Sequence, residues 1–252
     1  MFILRILILF LSFLILTTNV TAETKLQVAT SRWSPYVDEK LPNSGIAMDI
    51  VTSVFKKAGY ELEVSYEKWP RTLEGTKIGI YDAVATAWYS QERGKSFVYT
   101  DSYLDNVLKL LVHSDSGMQF NSYFDLQGRL VGIVKDYAYG GEFSKAKNFM
   151  RLQANHVVQN IDRVLKKQID ATIADERVLI YKINTLLTTS KNSFKILPNP
   201  VSVNTLHVAV SRANPKYKEI VSAFNKALAT MKKDGSYLKI IEQHDSNELN
   251  WN

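Results

Sequence analysis

From Lys25 to Ala87 short apolar runs alternate with helical stretches at a spacing that few folds accommodate. Lys25–Thr30 (KLQVAT) reads as a first strand. Gly45–Ala58 follows as an amphipathic helix, with Ile46, Ile50, Val54 and Phe55 on one face and Gly59 ending it. Glu61–Tyr66 alternates as a second strand, and Trp69-Pro70-Arg71 opens a helix with proline in its first turn. Ala83–Ala87 is a third strand. Strand–helix–strand–helix–strand at these lengths predicts an α/β fold built on a parallel sheet with crossover helices.

In such sheets ligands bind beyond the carboxyl ends of the strands. There the third strand runs into Trp88-Tyr89-Ser90-Gln91-Glu92-Arg93, with Thr86 just before the break. Arg93 offers a planar fork of donors matched to a carboxylate. The competing reading is a solvated arginine at a helix start, the fate of most arginines. After the first strand Trp33-Ser34-Pro35-Tyr36 sets two aromatics about a proline expected to hold the backbone extended.

Asn106–Val112 is a further strand, and after the polar break at His113–Gly117 the alternation restarts. Leu130–Val134 reads as a strand, Lys135–Gly141 as a loop holding Tyr137 and Tyr139, and a helix begins near Glu142. Val157–Lys167 is helical, Ala171–Ala174 a strand, Glu176–Asn184 helical and Phe194–Leu197 a strand. Leu206–Ser211 is a last strand, before helices over Tyr217–Lys233 and Ser236–Glu242. The expected organisation is two α/β lobes, residues 23–112 with 206–252 and residues 113–205. Two chain crossings near Val112 and Thr205 would join them as a hinge around a cleft.

Residues 1–22 stand apart. Arg5 precedes the apolar run Ile6–Leu16, and Val20-Thr21-Ala22 supplies a small-residue cleavage pattern, so a secretory leader cleaved after Ala22 is expected. The competing reading is a retained anchor, for which the run is short. The leader carries one of the 31 basic residues, leaving 30 against 25 acidic ones, a net charge of +5. That surplus is spread without a basic stripe, which argues against a nucleic-acid partner. The chain has no cysteine, hence no disulfide, thiolate metal site or lipid-bearing residue. The four histidines are scattered, so no metal or other cofactor is expected, and no Gly-x-Ser-x-Gly elbow marks a nucleophile.

Five segments in order resemble the bacterial periplasmic solute-binding proteins of family 3, the amino-acid-binding components of ABC transporters. They are Trp33-Ser34-Pro35-Tyr36; Gly45-Ile46-Ala47-Met48-Asp49-Ile50; Asp82-Ala83-Val84 with Glu92-Arg93 and Phe97; Asp125-Leu126-Gln127-Gly128 with Val131-Gly132; and Gln168-Ile169-Asp170-Ala171 with Asp175. The resemblance spans about Lys25 to Glu242. It implies a type II periplasmic-binding-protein fold, two lobes closing on an amino acid or similar small carboxylate-bearing solute, and delivery to a membrane permease by a periplasmic monomer.

It further implies that Arg93 holds the ligand carboxylate, Asp175 the ligand ammonium, and Trp33 a ligand face, with Trp69 lining the first lobe. For Asp175 an N-cap on the following helix is the alternative or additional role. Trp33 and Trp69 also suit plain packing. The chain departs from the family where Gly-Thr is usual: Asp136-Tyr137-Ala138 stands there, so Tyr137 or Tyr139 is the candidate pocket residue. Trp88 and Tyr89 crowd the end of the third strand. Two other functions fit the same scaffold, a prephenate-type dehydratase using Glu142 or Asp175 as the acid and a stand-alone ligand sensor.

Overall fold

The computed structural model describes residues 24–248; the expected leader, residues 1–22, and its cleavage position lie outside the described residues. The strands are β1 (Thr24–Thr30), β2 (Tyr60–Tyr66), β3 (Ala83–Trp88), β4 (Phe97–Tyr99), β5 (Leu104–His113), β6 (Leu130–Val134), β7 (Met150–Ala154), β8 (Ala171–Asp175), β9 (Phe194–Ile196) and β10 (Ser202–Ser211). The helices are α1 (Ile46–Lys57), α2 (Trp69–Lys77), α3 (Gly141–Lys145), α4 (Val157–Leu165), α5 (Glu176–Leu186), α6 (Tyr217–Lys233) and α7 (Ser236–Glu248). The strands join in the order β2-β1-β3-β10-β5-β8-β6-β7, with β4 on β10 and β9 on β5. No helix among the described residues is long and apolar enough to cross a membrane.

β1 pairs parallel with β2 and β3, as the alternation predicts, and β6 pairs parallel with β7 and β8. The sheet as a whole is mixed, because β10 runs antiparallel to β3 and β5 runs antiparallel to β8. Every residue of β3 is buried, so both its faces are covered and its apolar run needs no alternation. The α1 face named from the sequence is buried completely at Ile46, Ile50, Val54 and Phe55. Phe55 meets Phe224 of α6 at 5.0 Å between ring centroids. Burial of each such side chain contributes about 1.5–3 kcal/mol.

The two crossings are continuous strands. Leu104–Leu108 of β5 pairs with Ser202–Leu206 of β10; beyond Leu108, β5 pairs with β8, and beyond Leu206, β10 pairs with β3 and β4. One antiparallel ribbon of five residue pairs therefore carries the chain between the β2-β1-β3 and β8-β6-β7 halves. Outside the ribbon, Arg177 of α5 is tied to Asp245 of α7 at 2.7 Å.

Two short strands are absent from the sequence reading. β4 has only three residues, and β7 is a sheet-end strand of mixed polarity, MRLQA, with little burial to enforce a period. β10 starts four residues earlier than its apolar core indicates, because Ser202–Thr205 is held by β5.

The first loop also differs from expectation. The Ser34–Pro35 peptide is cis and the segment turns back on itself, with the Tyr36 amide donating to the Trp33 carbonyl at 2.9 Å. Gly45 closes this turn at φ +91°, where a Cβ would lie 2.5 Å from the Pro35 carbonyl oxygen and 2.7 Å from that of Tyr36. Backbone cannot withdraw as a flexible side chain does. Gly45→Ala is therefore expected to destabilise the fold by about 2–4 kcal/mol, combining an unfavourable backbone conformation with overpacking. Chemical denaturation checks this, and a midpoint equal to that of the wild type would contradict it.

Candidate functional site

A cavity of about 490 Å³ opens where the carboxyl ends of β1 and β3 face the loop after β6. Trp33, Trp69, Thr86, Trp88, Arg93 and Tyr137, six of the eight residues singled out from the sequence, line it. Tyr139 and Asp175 do not. Thr86 and Trp88 lie at the end of β3, Trp69 opens α2, Trp33 begins the turn after β1, and Tyr137 sits in the loop between β6 and α3.

Arg93 starts a one-turn 3-10 helix, Arg93–Lys95, fixed by the Gly94 amide donating to the Ser90 carbonyl at 3.0 Å. Its guanidinium lies over the Trp69 ring, 5.3 Å from the centroid, a cation–π arrangement. Burial lowers its pKa from the usual arginine value, while Tyr99, Asp136 and Glu92 act in the opposite sense. Arginine stays charged nonetheless. One guanidinium N–H donates to the Asp136 carbonyl at 2.6 Å, and Trp69 Nε1 donates to the same oxygen at 3.2 Å. Asp136 has φ +62°, in the left-handed region, within the loop between β6 and α3. Asn204 Nδ2 adds a bond to the Ala138 carbonyl at 3.0 Å. Arg93 and Trp69 of one half thus meet a backbone acceptor of the other across the cavity mouth, while Asn204 ties the ribbon to the same loop.

The inner wall is aromatic. Trp33 and Trp88 meet edge to face at 5.9 Å, as do Trp88 and Tyr137 at 5.4 Å. Tyr139 stands behind them, 6.0 Å from Tyr137, and its hydroxyl accepts the Val134 amide at 2.7 Å. Burial pushes the Tyr137 hydroxyl up to about 12 and the Tyr139 hydroxyl higher still, so both remain neutral at physiological pH.

Asp175 lies behind this wall, 3% exposed. The Tyr36 hydroxyl reaches both its oxygens at 3.0 Å, Asn106 Nδ2 donates to it at 3.1 Å, and the Val178 amide donates at 3.1 Å, which makes it the N-cap of α5. Tyr36 stacks on Trp33 at 4.4 Å, and Trp88 Nε1 donates to Asn106 at 2.7 Å. The aromatic wall and Asp175 are therefore one hydrogen-bonded unit. Burial raises the Asp175 carboxyl to about 6, although these donors and Arg177 act to lower it.

The cavity also takes residues that the sequence did not single out: Arg32, Glu67, Lys68, Lys135, Asp136 and His156. Four are lysine, arginine or histidine in loops, which composition does not distinguish from solvated surface. Asn106 had a usable signal, a lone amide among apolar residues of a strand. Glu142 lies in α3, away from the cavity lining, and Arg71 is solvated with a 3.4 Å ion pair to Glu67.

The profile of the bacterial extracellular solute-binding proteins, family 3, matches residues 26–246. The chain is 26% identical over 202 residues to the arginine-binding extracellular protein ArtP of Bacillus subtilis (strain 168), covering 78% of this chain and 75% of that protein. It is 23% identical over 201 residues to the ABC transporter arginine-binding protein 1 of Escherichia coli (strain K12), covering 79% and 80%. An ancestral arginine-binding protein bound to arginine superposes with a TM-score of 0.72 at 23% identity, over 87% of this chain and 97% of that one. The fold is that of the type II periplasmic binding proteins. With the profile spanning almost every described residue, the chain belongs to the bacterial extracellular solute-binding proteins of family 3.

Proposed function

We propose that this protein captures a small carboxylate-bearing solute, an amino acid or a close relative of one, in the cavity at Arg93 and delivers it to a membrane ABC transporter. The observation that carries this reading is the convergence of Arg93 and Trp69 from one half with Asp136 from the other on one aromatic-walled cavity. A single fixed cation beside apolar rings suits a carboxylate attached to an apolar body. The names of the relatives support the solute class, since both are arginine-binding proteins.

In this reading residues 23–112 with 206–252 form one lobe and residues 113–205 the other. Bending of the β5–β10 ribbon lets the lobes part and close, and closure strengthens the Arg93 contact by expelling water. The protein acts as a monomer in the periplasm, after cleavage behind Ala22. Glu142 and Asp175 are not at the cavity surface, so the lining holds neither acid that dehydratase chemistry would use.

A thermal-shift screen of amino acids and small carboxylates tests the proposal. A ligand at one hundred times its Kd adds about 2.7 kcal/mol to the folded state, or about 5–10 °C for a chain of this size. At least one member is expected to give that rise. A screen in which none does, at millimolar concentration, contradicts the reading.

A further inference from the structure

The cavity's polar groups are unbalanced in sign. Arg32, Lys68, Arg93 and Lys135 line it, against Glu67 and Asp136 as the lining carboxylates. Arg32 is occupied by Glu39 at 2.6 Å. Lys68 and Lys135 are exposed at the mouth, with no side-chain hydrogen bond or ion pair among the described residues. Glu67 is already engaged by Arg71 at 3.4 Å and by the Tyr81 hydroxyl at 3.2 Å. Asp136 is exposed. Beyond them lies the buried aromatic end, walled by Trp33, Trp88 and Tyr137.

The one carboxylate at that end, Asp175, is closed to a ligand. Its two oxygens take Tyr36, Asn106 and the Val178 amide, and Tyr36 is itself buried behind Trp33. An α-ammonium sits two bonds from the acid, so with the carboxylate on Arg93 it would lie beside that guanidinium in a lining already rich in lysine and arginine. A cation seated instead at the aromatic end would regain only about 0.5–2 kcal/mol from the ring faces against several kcal/mol of lost hydration. A neutral ring there loses nothing and gains contact with Trp33, Trp88 and Tyr137.

We infer that the ligand is an aromatic or similarly planar carboxylate that carries no ammonium group, its acid on Arg93 and its ring against Trp33, Trp88 and Tyr137. This rests on the cavity being the solute site, and it narrows the solute from amino acids in general to their ammonium-free counterparts. The geometry of the wall does the selecting. Tyr36 supplies from within the chain the donor that a ligand ammonium would otherwise bring to Asp175.

Calorimetric titration with isosteric pairs tests this in the mature protein: 3-phenylpropionate against L-phenylalanine, indole-3-propionate against L-tryptophan, and L-arginine as the basic case. At least one ammonium-free member is expected to bind at least tenfold more tightly than its amino-acid partner and more tightly than L-arginine. Equal or tighter binding of the amino acids, abolished in Arg93→Ala, overturns this inference and leaves the cavity reading standing. Silence from all five overturns the ligand class, and the broader thermal-shift screen then judges the cavity separately. As a second measurement, Asp175→Asn, checked for folding by circular dichroism, is expected to keep affinity for the bound carboxylate within threefold. A loss above tenfold would place Asp175 on the ligand and overturn the inference.

Discussion

Arg93→Ala is expected to weaken binding of a carboxylate ligand at least about 100-fold while leaving the fold intact. Removing the cationic partner of a desolvated charge pair costs about 2–5 kcal/mol, and about 2.7 kcal/mol corresponds to 100-fold in Kd. Two contacts go at once: the fork available to the ligand and the 2.6 Å bond to the Asp136 carbonyl that ties the halves together. Arg93→Lys keeps the charge but not the planar fork or its stacking on Trp69, so an intermediate loss of about tenfold is expected. The fold survives because Arg93 lies in a partly exposed turn held by backbone bonds, the Gly94 amide donating to the Ser90 carbonyl and the Ser96 amide to the Arg93 carbonyl. Calorimetry gives the affinities; an Arg93→Ala Kd within threefold of wild type would remove Arg93 from the site.

Asp175→Ala acts on stability instead. It removes the N-cap of α5, worth about 1 kcal/mol. It also strands the Tyr36 hydroxyl and the Asn106 amide in a buried setting, at about 1–3 kcal/mol each. A total loss of about 3–7 kcal/mol is expected in denaturant unfolding, and a loss under about 1 kcal/mol would show the network to be unimportant. The same carboxyl gives a pH signature. Burial raises its pKa from 3.8 to about 6 in the folded state. Between those values the native state holds more protons than the unfolded chain, so stability falls as pH rises. This contribution is fully present below about pH 4 and lost as pH passes about 6. Relative to Asp175→Asn, which does not titrate, the wild type should therefore gain up to about 3 kcal/mol on going from pH 7 to pH 4. An unchanged or opposite difference would contradict the assignment.

What the sequence made legible follows from the range of each signal. Periodicity and caps act over a few residues, so the α1 face, the Pro70 helix start and the burial of β3 could be read from neighbouring positions. The placement of Arg93 in the cavity lining could be read because a strand end is a local fact as well. The partners of Asp175 could not. Tyr36 is 139 residues away and Asn106 is 69, and no local pattern joins them. Read alone, Asp175 offered two roles; its hydrogen bonds display the capping one and close its oxygens to the cavity. The acceptor that meets Arg93 and Trp69 is a backbone carbonyl, which carries no side-chain signature whatever residue supplies it. Asp136-Tyr137-Ala138 looked like a missing hydroxyl in the sequence; in the fold it supplies that carbonyl and one aromatic of the wall. The sequence suggests chain crossings near Val112 and Thr205, but pairing between β5 and β10 is a property of two distant segments and is visible only in the strand register.

Three of the chain's four tryptophans, Trp33, Trp69 and Trp88, line the cavity, and the fourth, Trp251, lies outside the described residues. Tryptophan emission therefore reports on the site itself. The strongest stabiliser from the thermal-shift screen, titrated into the wild type, is expected to give a saturable emission change with the calorimetric Kd, and no change in Arg93→Ala at the same concentrations. Binding seen by calorimetry with no emission change in the wild type, or an equal change in Arg93→Ala, would place the solute elsewhere on the molecule.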